Sequence, residues 1–210
     1  MRKSLVALAA LVVFAAEAGI AYAQEPGSFE IVPTVGWRWG GGMTSITGIR
    51  KLETDPAVTY GLSIGRRLYP TAGVDIGWMH FEGDVNATLN SGADISGGKL
   101  KRDDILLNGT WYSYRGTSTS PFFTAGAGVS IFAAENASSN TRFAWDIGAG
   151  VRHDMNEKVA ARLQIKWMPT WITTGTGVYC EPYYPYFCYT AGTGESYDQF
   201  EVSLGLAFSP

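Results

Sequence analysis

Apolar and polar residues alternate with a period of two along most of this chain, in segments that each have the length of a β-strand. This alternation is typical of strands with one apolar and one polar face, whereas an amphipathic helix repeats about every 3.6 residues. The sequence predicts eight strands, which are Phe29–Trp39, Val58–Leu68, Ala72–Glu82, Asp104–Tyr112, Phe123–Ile131, Phe143–Arg152, Val159–Trp167 and Gln199–Phe208.

The segments between the predicted strands are of two kinds, and the two kinds alternate. Three are short, namely Tyr69–Thr71, Ser113–Pro121 and Asp154–Lys158. Four are longer, namely Gly40–Ala57, Gly83–Arg102, Ala133–Thr141 and Ile172–Tyr197. In an up-and-down meander this order puts the short turns at one end and the long loops at the other, which is the layout of transmembrane β-barrels.

The two faces of the predicted strands differ in chemistry. One carries large apolar and aromatic side chains, and the other carries glycine together with equal numbers of acidic and basic residues. The charged residues on that second face are Glu30, Arg38, Arg67, Asp75, Asp104, Asp146, Arg152, Arg162, Lys166 and Glu201. Buried charges are tolerated when they are paired and hydrogen-bonded, so the balance favours an enclosed lumen. We predict an all-β fold, an eight-stranded antiparallel up-and-down transmembrane β-barrel with a charge network in its lumen.

The composition agrees with a membrane barrel and excludes two other classes. Glycine accounts for 26 of the 210 residues, and charged residues make up 17%, below the roughly 25% typical of soluble domains. A formal net charge of −3 provides no basic surface for nucleic acid. Beyond the N-terminal segment, no apolar run reaches the about 18 residues that a membrane-spanning helix requires, which excludes a helical membrane protein.

The first residues have the pattern of an export signal. Arg2 and Lys3 precede an apolar run, Leu5–Ala16, and small residues follow at Ala21 and Ala23. This order is typical of a secretory signal peptide. We therefore expect a signal peptide over residues 1–23 and a barrel domain over residues 24–210, and the lack of a cysteine near the junction argues against a lipoprotein.

Four residues fit the strand pattern less well. Pro33 has no N–H to give to a β-ladder, so we expect a bulge or an early strand end there. Arg66, His80 and Glu82 fall on the predicted lipid-facing side. Each is near a strand end, where the cost of a charge falls to about 0–1 kcal/mol.

Three stretches make the chain resemble the small eight-stranded outer-membrane barrels of the OmpA and OmpX type. They are FEIVPTVGWRWGG at 29–41, PFFTAGAGV at 121–129 and WDIGAGVRH at 145–153. The resemblance covers nearly all of the chain after the signal segment. It implies a bacterial outer-membrane location, with lipopolysaccharide as a neighbour and insertion by the outer-membrane assembly machinery through the C-terminal strand. Members usually end on an aromatic residue, whereas here Phe208 is followed by Ser209 and Pro210.

The last long loop contains both cysteines and many tyrosines. Cys180 and Cys188 lie close together in an exported chain, so we predict an intramolecular disulfide, with free or metal-binding thiols as the alternative. Tyrosines provide large contact area at low entropic cost, so the loop is a candidate contact surface. The alternative is a loop that packs on its neighbours and covers the barrel mouth. The predicted surface-loop contact residues are Tyr179, Tyr183, Tyr184, Tyr186 and Tyr189.

The titratable residues do not form a recognisable catalytic site. His80 and His153, the only histidines, fall at opposite ends of the predicted barrel, across a membrane about 30 Å thick. No serine accompanies His80 on its strand face, as a hydrolase triad would require. Asp103 and Asp104 point to opposite faces, and we expect them at a solvated strand entrance. We predict no catalytic residue, no metal site and no cofactor.

These observations favour a monomeric barrel with a structural or surface-contact role, such as adhesion or binding, and a lumen filled by ion pairs. An eight-stranded barrel has an interior just wide enough for side chains, so a narrow low-conductance channel is the second hypothesis. A lipid-modifying enzyme and a soluble secreted ligand carrier are further alternatives. The expected partners are outer-membrane lipid including lipopolysaccharide, the assembly machinery and an extracellular ligand at the long loops, whereas nucleic acid is excluded.

Overall fold

The computed structural model describes residues 27–43, 49–113, 118–134, 139–172, 178–180, 188–190 and 195–210. The signal peptide predicted over residues 1–23 lies outside them. The strands are β1 (Phe29–Gly40), β2 (Gly42–Met43), β3 (Ile49–Thr54), β4 (Ala57–Tyr69), β5 (Ala72–Leu89), β6 (Asp94–Tyr112), β7 (Thr119–Ala134), β8 (Asn140–Asp154), β9 (Val159–Ile172), β10 (Val178–Cys180), β11 (Cys188–Thr190) and β12 (Glu195–Phe208). Among the described residues, no helix is long and apolar enough to cross a membrane.

Eight long strands form a closed antiparallel barrel. From β4 to β9, each strand pairs with the next one along the chain, and β12 pairs with β9. The barrel closes at β1, which pairs with β4 on one side and with β12 on the other. The predicted all-β, eight-stranded up-and-down barrel is confirmed.

The two ends of the barrel differ in their connections. At one end, Pro70 and Thr71 link β4 to β5, and residues 155–158 link β8 to β9. At the other end lie longer segments, which include β2, β3 and the β10–β11 pair. We call these the turn end and the hairpin end. This arrangement matches the predicted alternation of short and long connections, except at residues 83–102.

The outer wall of the barrel is apolar and the inner wall is largely polar. On β1, for example, Trp37 is 48% exposed whereas the next residue, Arg38, is fully buried. Exposed apolar residues of the outer wall include Ile31, Val35, Leu62, Ile64, Ile76, Leu107, Phe123, Ile165, Val202 and Leu204. Such a wall suits hydrocarbon and not water. It argues against a soluble carrier, whose apolar side chains would face inward.

One predicted connection is wrong. Residues 83–102, expected as a long loop, continue β5 and β6 as a hairpin that extends past the neighbouring wall. The two strands have 18 and 19 residues, and residues 90–93 join them. Strand β3 pairs with the last residues of β5. The three strands form a flap above the hairpin end, made of β3, residues 81–89 and residues 94–102.

The phase of the hydrophobic pattern explains this extension. In the part of β5 nearest the turn end, Val74 and Ile76 face outward. From His80 onward the outward positions are polar, as at Glu82. The inward positions become apolar, as at Phe81, which is 1% exposed. An antiparallel sheet beyond the membrane has an outer face in water, so the alternation continues with its polarity reversed.

Pro33 neither ends β1 nor introduces a bulge, contrary to the expectation from the sequence. Strand β1 continues to Gly40, and Pro33 lies opposite Leu62 of β4. The ladder to β12 omits Val32 and Pro33 and resumes in the same register. The missing N–H of proline is therefore accommodated by the loss of rungs from one ladder while the strand itself continues.

Candidate functional site in the lumen

Arg38 joins three strands inside the barrel. It lies directly opposite Glu201 in the β1–β12 register and donates two hydrogen bonds to Oε2 of that residue, from Nε at 3.0 Å and from Nη2 at 2.8 Å. Its Nη1 donates to Oδ2 of Asp104, on β6, at 2.7 Å. All three side chains are buried. Hydrogen bonds between ionised groups are about twice as strong as those between neutral groups.

Arg102 binds the other oxygen of Asp104. Its Nε donates to Oδ1 of Asp104 at 2.7 Å, its Nη1 to Oε1 of Gln199 at 2.8 Å, and its Nη2 to Oγ of Ser130 at 2.9 Å. Ser130 in turn donates to Asp104. Two cations and two anions are thus connected across the lumen. We call this cluster the hairpin-end network, and its members are Arg38, Arg102, Asp104 and Glu201.

Aromatic side chains cover the hairpin-end network. The guanidinium of Arg38 lies 5.4 Å from the ring centroid of Phe81. The rings of Tyr197 and Phe132 pack edge to face with centroids 5.9 Å apart. The hydroxyl of Tyr197 shares a 2.6 Å hydrogen bond with Oγ1 of Thr54, on β3. The flap is therefore tied directly to the residues that close the lumen.

A second group of charges lies near the turn end. Arg152 Nη1 lies 3.0 Å from Oε1 of Glu30, and its Nε donates to Oδ1 of Asp154 at 2.7 Å. Nη2 of Arg67 lies 3.9 Å from the same Glu30 oxygen. Arg162 lies opposite Arg152 in the β8–β9 register and is 7% exposed. These five residues are the turn-end charges.

A polar cavity lies between the two groups of charges. Asp75, Asn108 and Lys166 line it. Nζ of Lys166 donates to Oδ2 of Asp146 at 2.8 Å, and Nδ2 of Asn108 donates to Oδ1 of Asp75 at 3.1 Å. Oδ1 of Asp146 and Oδ1 of Asn108 are buried without a hydrogen-bond partner among the described residues. Such atoms are met by ordered water where there is space, so the middle of the lumen suits water.

The ten charged residues predicted for the lumen all lie on its inward side. Eight of them are at most 7% exposed, while Asp75 and Lys166 are partly exposed to the cavity. The structure brings nine of them together as two separate groups and the Lys166–Asp146 pair, whereas Asp75 accepts a hydrogen bond from Asn108. The expectation of a solvated strand entrance is wrong for Asp104, because β6 begins as early as Asp94 and carries Asp104 inside the barrel.

Sequence reasoning does not single out Arg102, Gln199, Ser130 or Asp154. Arg102 falls in the segment predicted as a loop, although its spacing of two from Asp104 is a signal that both share one strand face. Gln199 and Ser130 are uncharged, and many such residues occur on the inward face. The role of Gln199 depends on β12 meeting β6 across the lumen, which a single sequence does not specify, whereas Ser130 lies directly opposite Asp104 on the neighbouring β7.

The predicted disulfide and surface-loop site remain predictions. Three of the tyrosines lie outside the described residues, namely Tyr183, Tyr184 and Tyr186. Strands β10 and β11 pair so that the backbone of Cys180 lies opposite that of Cys188, and Tyr179 opposite Tyr189.

The two histidines lie at opposite ends of the barrel. His80 Nδ1 lies 2.8 Å from Oδ1 of Asp103, and His153 Nδ1 lies 2.8 Å from Oγ1 of Thr119. In the part of the chain that the structure describes, neither histidine is hydrogen-bonded to a serine. In that same part, no group of three or more His, Cys, Asp or Glu residues could hold a metal ion.

A closed eight-stranded barrel with an apolar wall and a charged lumen defines a transmembrane β-barrel of the outer-membrane class. The family model described as "Outer membrane protein beta-barrel domain" matches residues 6–208, and the chain belongs to this family. It is a protein of the bacterial outer membrane. In this class the short turns face the periplasm, so the turn end is periplasmic and the hairpin end is extracellular.

Solved structures with the same fold share little sequence with this chain. The outer membrane protein OprG from Pseudomonas aeruginosa is 13% identical, with a TM-score of 0.65 over 90% of this chain and 98% of that chain. Neisserial surface protein A is 10% identical, with a TM-score of 0.60 over 89% of this chain and 100% of that chain. Comparison with curated proteins finds no match. At these identities the likeness shows the fold alone.

Proposed function

We propose that this protein is a non-conducting barrel with a structural or surface-contact role, exerted through the flap and loops at its extracellular end. The observation that carries this proposal is the hairpin-end network, whose four buried charged side chains cross the lumen. An ion that passed through would displace at least one of these pairs. Loss of one partner from a buried ion pair costs about 3–5 kcal/mol. Each 1.4 kcal/mol is about a factor of ten, so the open state would be populated below about 1%.

The extracellular end supplies the contact surface. The flap extends β5 and β6 beyond the wall and adds β3 to them. Nearby, the β10–β11 pair holds Tyr179 and Tyr189 opposite each other in the backbone register. A disulfide between Cys180 and Cys188 would restrain this tyrosine-rich segment and lower the entropic cost of contact. An extracellular ligand at these tyrosines is part of the proposal.

A role without catalysis is supported by the surroundings of His80. Its ring contacts Tyr60 and Trp78, and Nδ1 pairs with Asp103. These neighbours do not include a serine, threonine or cysteine, the nucleophiles that a histidine base activates in acyl transfer. A monomer is supported by closure, because the β1–β12 ladder leaves no strand edge of the wall open for a second copy.

Recordings from planar bilayers test the closed lumen. The refolded protein is expected to give no resolved single-channel steps. Arg38→Ala/Arg102→Ala should produce conducting bursts, because it removes both cations of the network. Arg66→Ala is the matched control, since Arg66 is exposed on the outside of the wall. Steady conductance by the unmodified protein would contradict the proposal.

Attachment assays test the surface-contact role. Bacteria that display the protein are expected to adhere to polystyrene and to one another more than cells without it. Replacing Tyr183, Tyr184 and Tyr186 together by serine should abolish the difference while the heat-dependent shift in gel mobility is kept. The matched control replaces Tyr69, which lies at the periplasmic end. Equal adhesion by cells with and without the protein would refute the role.

The polar cavity favours a narrow channel as the second candidate function. Asp75, Asn108 and Lys166 already line a water-compatible space in the middle of the lumen. Rearrangement of the hairpin-end network and of the turn-end charges would connect this space to both sides. Small steady steps from the unmodified protein, with a conductance that changes when Lys166 in the cavity wall is replaced by methionine, would favour this function over the first.

A further inference from the structure

The turn-end charges comprise three arginines and only two carboxylates. Arg67, Arg152 and Arg162 belong to β4, β8 and β9, and each is at most 7% exposed. The carboxylates that pair with them are those of Glu30 and Asp154. Three cations against two anions leave one positive charge inside the barrel. A buried charge is tolerated when it is paired, so the group as it stands is short of one anion.

The two carboxylates are both bound to Arg152. Its Nη1 lies 3.0 Å from Oε1 of Glu30, and its Nε lies 2.7 Å from Oδ1 of Asp154. Arg67 reaches Glu30 only at 3.9 Å, which is too far for a hydrogen bond. Arg162 forms no ion pair with any residue that the structure describes. The uncompensated positive charge therefore belongs to Arg67 and Arg162.

Aromatic rings hold these two guanidinium groups in place. The guanidinium carbon of Arg67 lies 4.3 Å from the ring centroid of Tyr112, and that of Arg162 lies 4.8 Å from the ring centroid of Phe122. The two rings are neighbours, with centroids 5.8 Å apart. Such contacts attract a cation, but a neutral ring does not cancel its charge. Both groups are thus positioned and remain fully charged.

Hydrogen-bond donors without partners surround a small cavity at this place. Nε and Nη2 of Arg67, Nη2 of Arg152 and Oγ1 of Thr110 are buried and have no hydrogen-bond partner among the described residues. Arg67, Thr110 and Arg162 line the cavity, whose space is about that of one water molecule. Water there would satisfy the donors but would leave the charge unpaired, and an unpaired buried charge costs more free energy than an unpaired neutral group.

Two carboxylates also border the cavity and restrict which anion it can hold. Glu30 is already paired, and Asp75, toward the middle of the lumen, accepts a hydrogen bond from Asn108. Both carboxylates repel negative charge, so the cavity suits a monovalent anion and disfavours a polyvalent one such as sulfate. The next charges toward the hairpin end, Lys166 and Asp146, pair with each other.

We propose that a monovalent anion of halide size, such as chloride, binds in this cavity. The anion site, as we call it, consists of Arg67, Arg162 and Thr110. Its guanidinium groups donate charge-assisted hydrogen bonds, which are about twice as strong as neutral ones, and its hydroxyl donates a further one. The anion enters from the periplasm, because the cavity lies near the turn end and the hairpin-end network closes the other side. The site is separate from that network and does not depend on the proposed function.

Broadening of the chloride NMR signal by the refolded protein, in micelles of a zwitterionic detergent, tests the proposal. Arg162→Gln removes the cation that has no ion pair. Lys158→Gln is the matched control, because it removes one exposed cation at the same end of the barrel. We expect Arg162→Gln to bind chloride at least about tenfold more weakly than the unmodified protein. The control should stay within about twofold, since an exposed charge is screened by salt.

Competition between anions provides a second readout that requires no variant. Bromide should displace chloride from the unmodified protein, whereas methanesulfonate, which is monovalent but larger than the cavity, should not. Displacement by methanesulfonate would overturn the proposal, because it would place the chloride on the exposed surface.

A second variant keeps the test decisive if Arg162→Gln does not fold, as judged by gel mobility. Thr110→Val has nearly the same shape and lacks the hydroxyl, so it should bind chloride about fivefold more weakly. Equal binding by the unmodified protein and the folded variant would overturn the proposal. The absence of any chloride broadening by the unmodified protein would also overturn it.

Discussion

Lys166 and Asp146 form an ion pair between β8 and β9 at the place where the backbone ladder of these strands is interrupted. Nζ donates to Oδ2 at 2.8 Å. The ladder omits Met168 and Pro169 there and then resumes in the same register, since proline has no N–H to donate. The side-chain pair therefore joins the two strands where their backbones do not.

Lys166→Met is expected to destabilise the barrel by about 3–5 kcal/mol, because it leaves the buried carboxylate of Asp146 without its cation. Asp146→Leu/Lys166→Met removes both charges and should return the stability to within about 1 kcal/mol of the unmodified protein or above it. Urea unfolding in lipid vesicles, followed by tryptophan fluorescence, measures both variants. A double variant as unstable as Lys166→Met would show that the pair is not the cause.

The space around Gly36 is too small for a methyl group. A Cβ at this position would lie 2.8 Å from the Cβ of Ser203 and 2.8 Å from Oγ1 of Thr59, so Gly36→Ala should cost about 1–3 kcal/mol. Gly77→Ala is the control. A Cβ there would have its closest neighbour, the Cβ of Ser63, at 3.5 Å, and the variant should be neutral or stabilised by about 0.4–1 kcal/mol. Equal unfolding midpoints for the two variants would contradict this prediction.

The polarity reversal of β5 predicts that the free-energy cost of an introduced charge depends on its depth in the membrane. Ile76 is 55% exposed on the apolar wall, and Ile76→Lys should destabilise the protein by about 2–4 kcal/mol in a bilayer. Asn86→Lys, on the same strand within the flap, should cost about 0–1 kcal/mol. Unfolding in vesicles measures the difference. If the two costs were equal, the membrane boundary would not lie at His80.

The register of β10 and β11 predicts a disulfide at the extracellular end. Cys180 and Cys188 are opposite each other in the backbone, and a loop of this size is stabilised by about 2.5 kcal/mol when closed by a disulfide. We expect no thiol labelling of the protein isolated from membranes until a reductant is added. Cys180→Ser should then label at Cys188 without reductant. Labelling of the untreated, unmodified protein would refute the disulfide.

The barrel wall could be predicted from the sequence because lipid imposes a strict rule on each strand. Trp37 and Ile76 face hydrocarbon, so apolar residues recur at every second position for as long as the strand remains in the membrane. The flap could not be predicted in the same way. From Glu82 onward the outer face meets water, and the reversed alternation resembles that of a polar loop.

The same alternation predicts which charged residues face the lumen, but it does not predict which of them form ion pairs with one another. Arg38 and Glu201 are 163 positions apart in the chain, and they meet because β1 closes on β12 in one particular register. A shift of one residue in the pairing of a strand would move every inward charge of that strand to the lipid face. Arg102 shows the limit most clearly, because its partner Gln199 lies on β12, on another part of the wall, whereas its partner Ser130 lies on the neighbouring β7.

The pairing of β1 with β12 also determines how the protein can enter its membrane. These two strands are the first and the last of the wall, so a chain with seven strands in place would still present two rows of unpaired backbone groups. Hydrocarbon cannot form hydrogen bonds with those groups, and in water they can pair with strands of other chains. We therefore expect closure and insertion to occur together, once all eight strands of the wall are available. Until that moment the chain depends on being kept apart from its own copies.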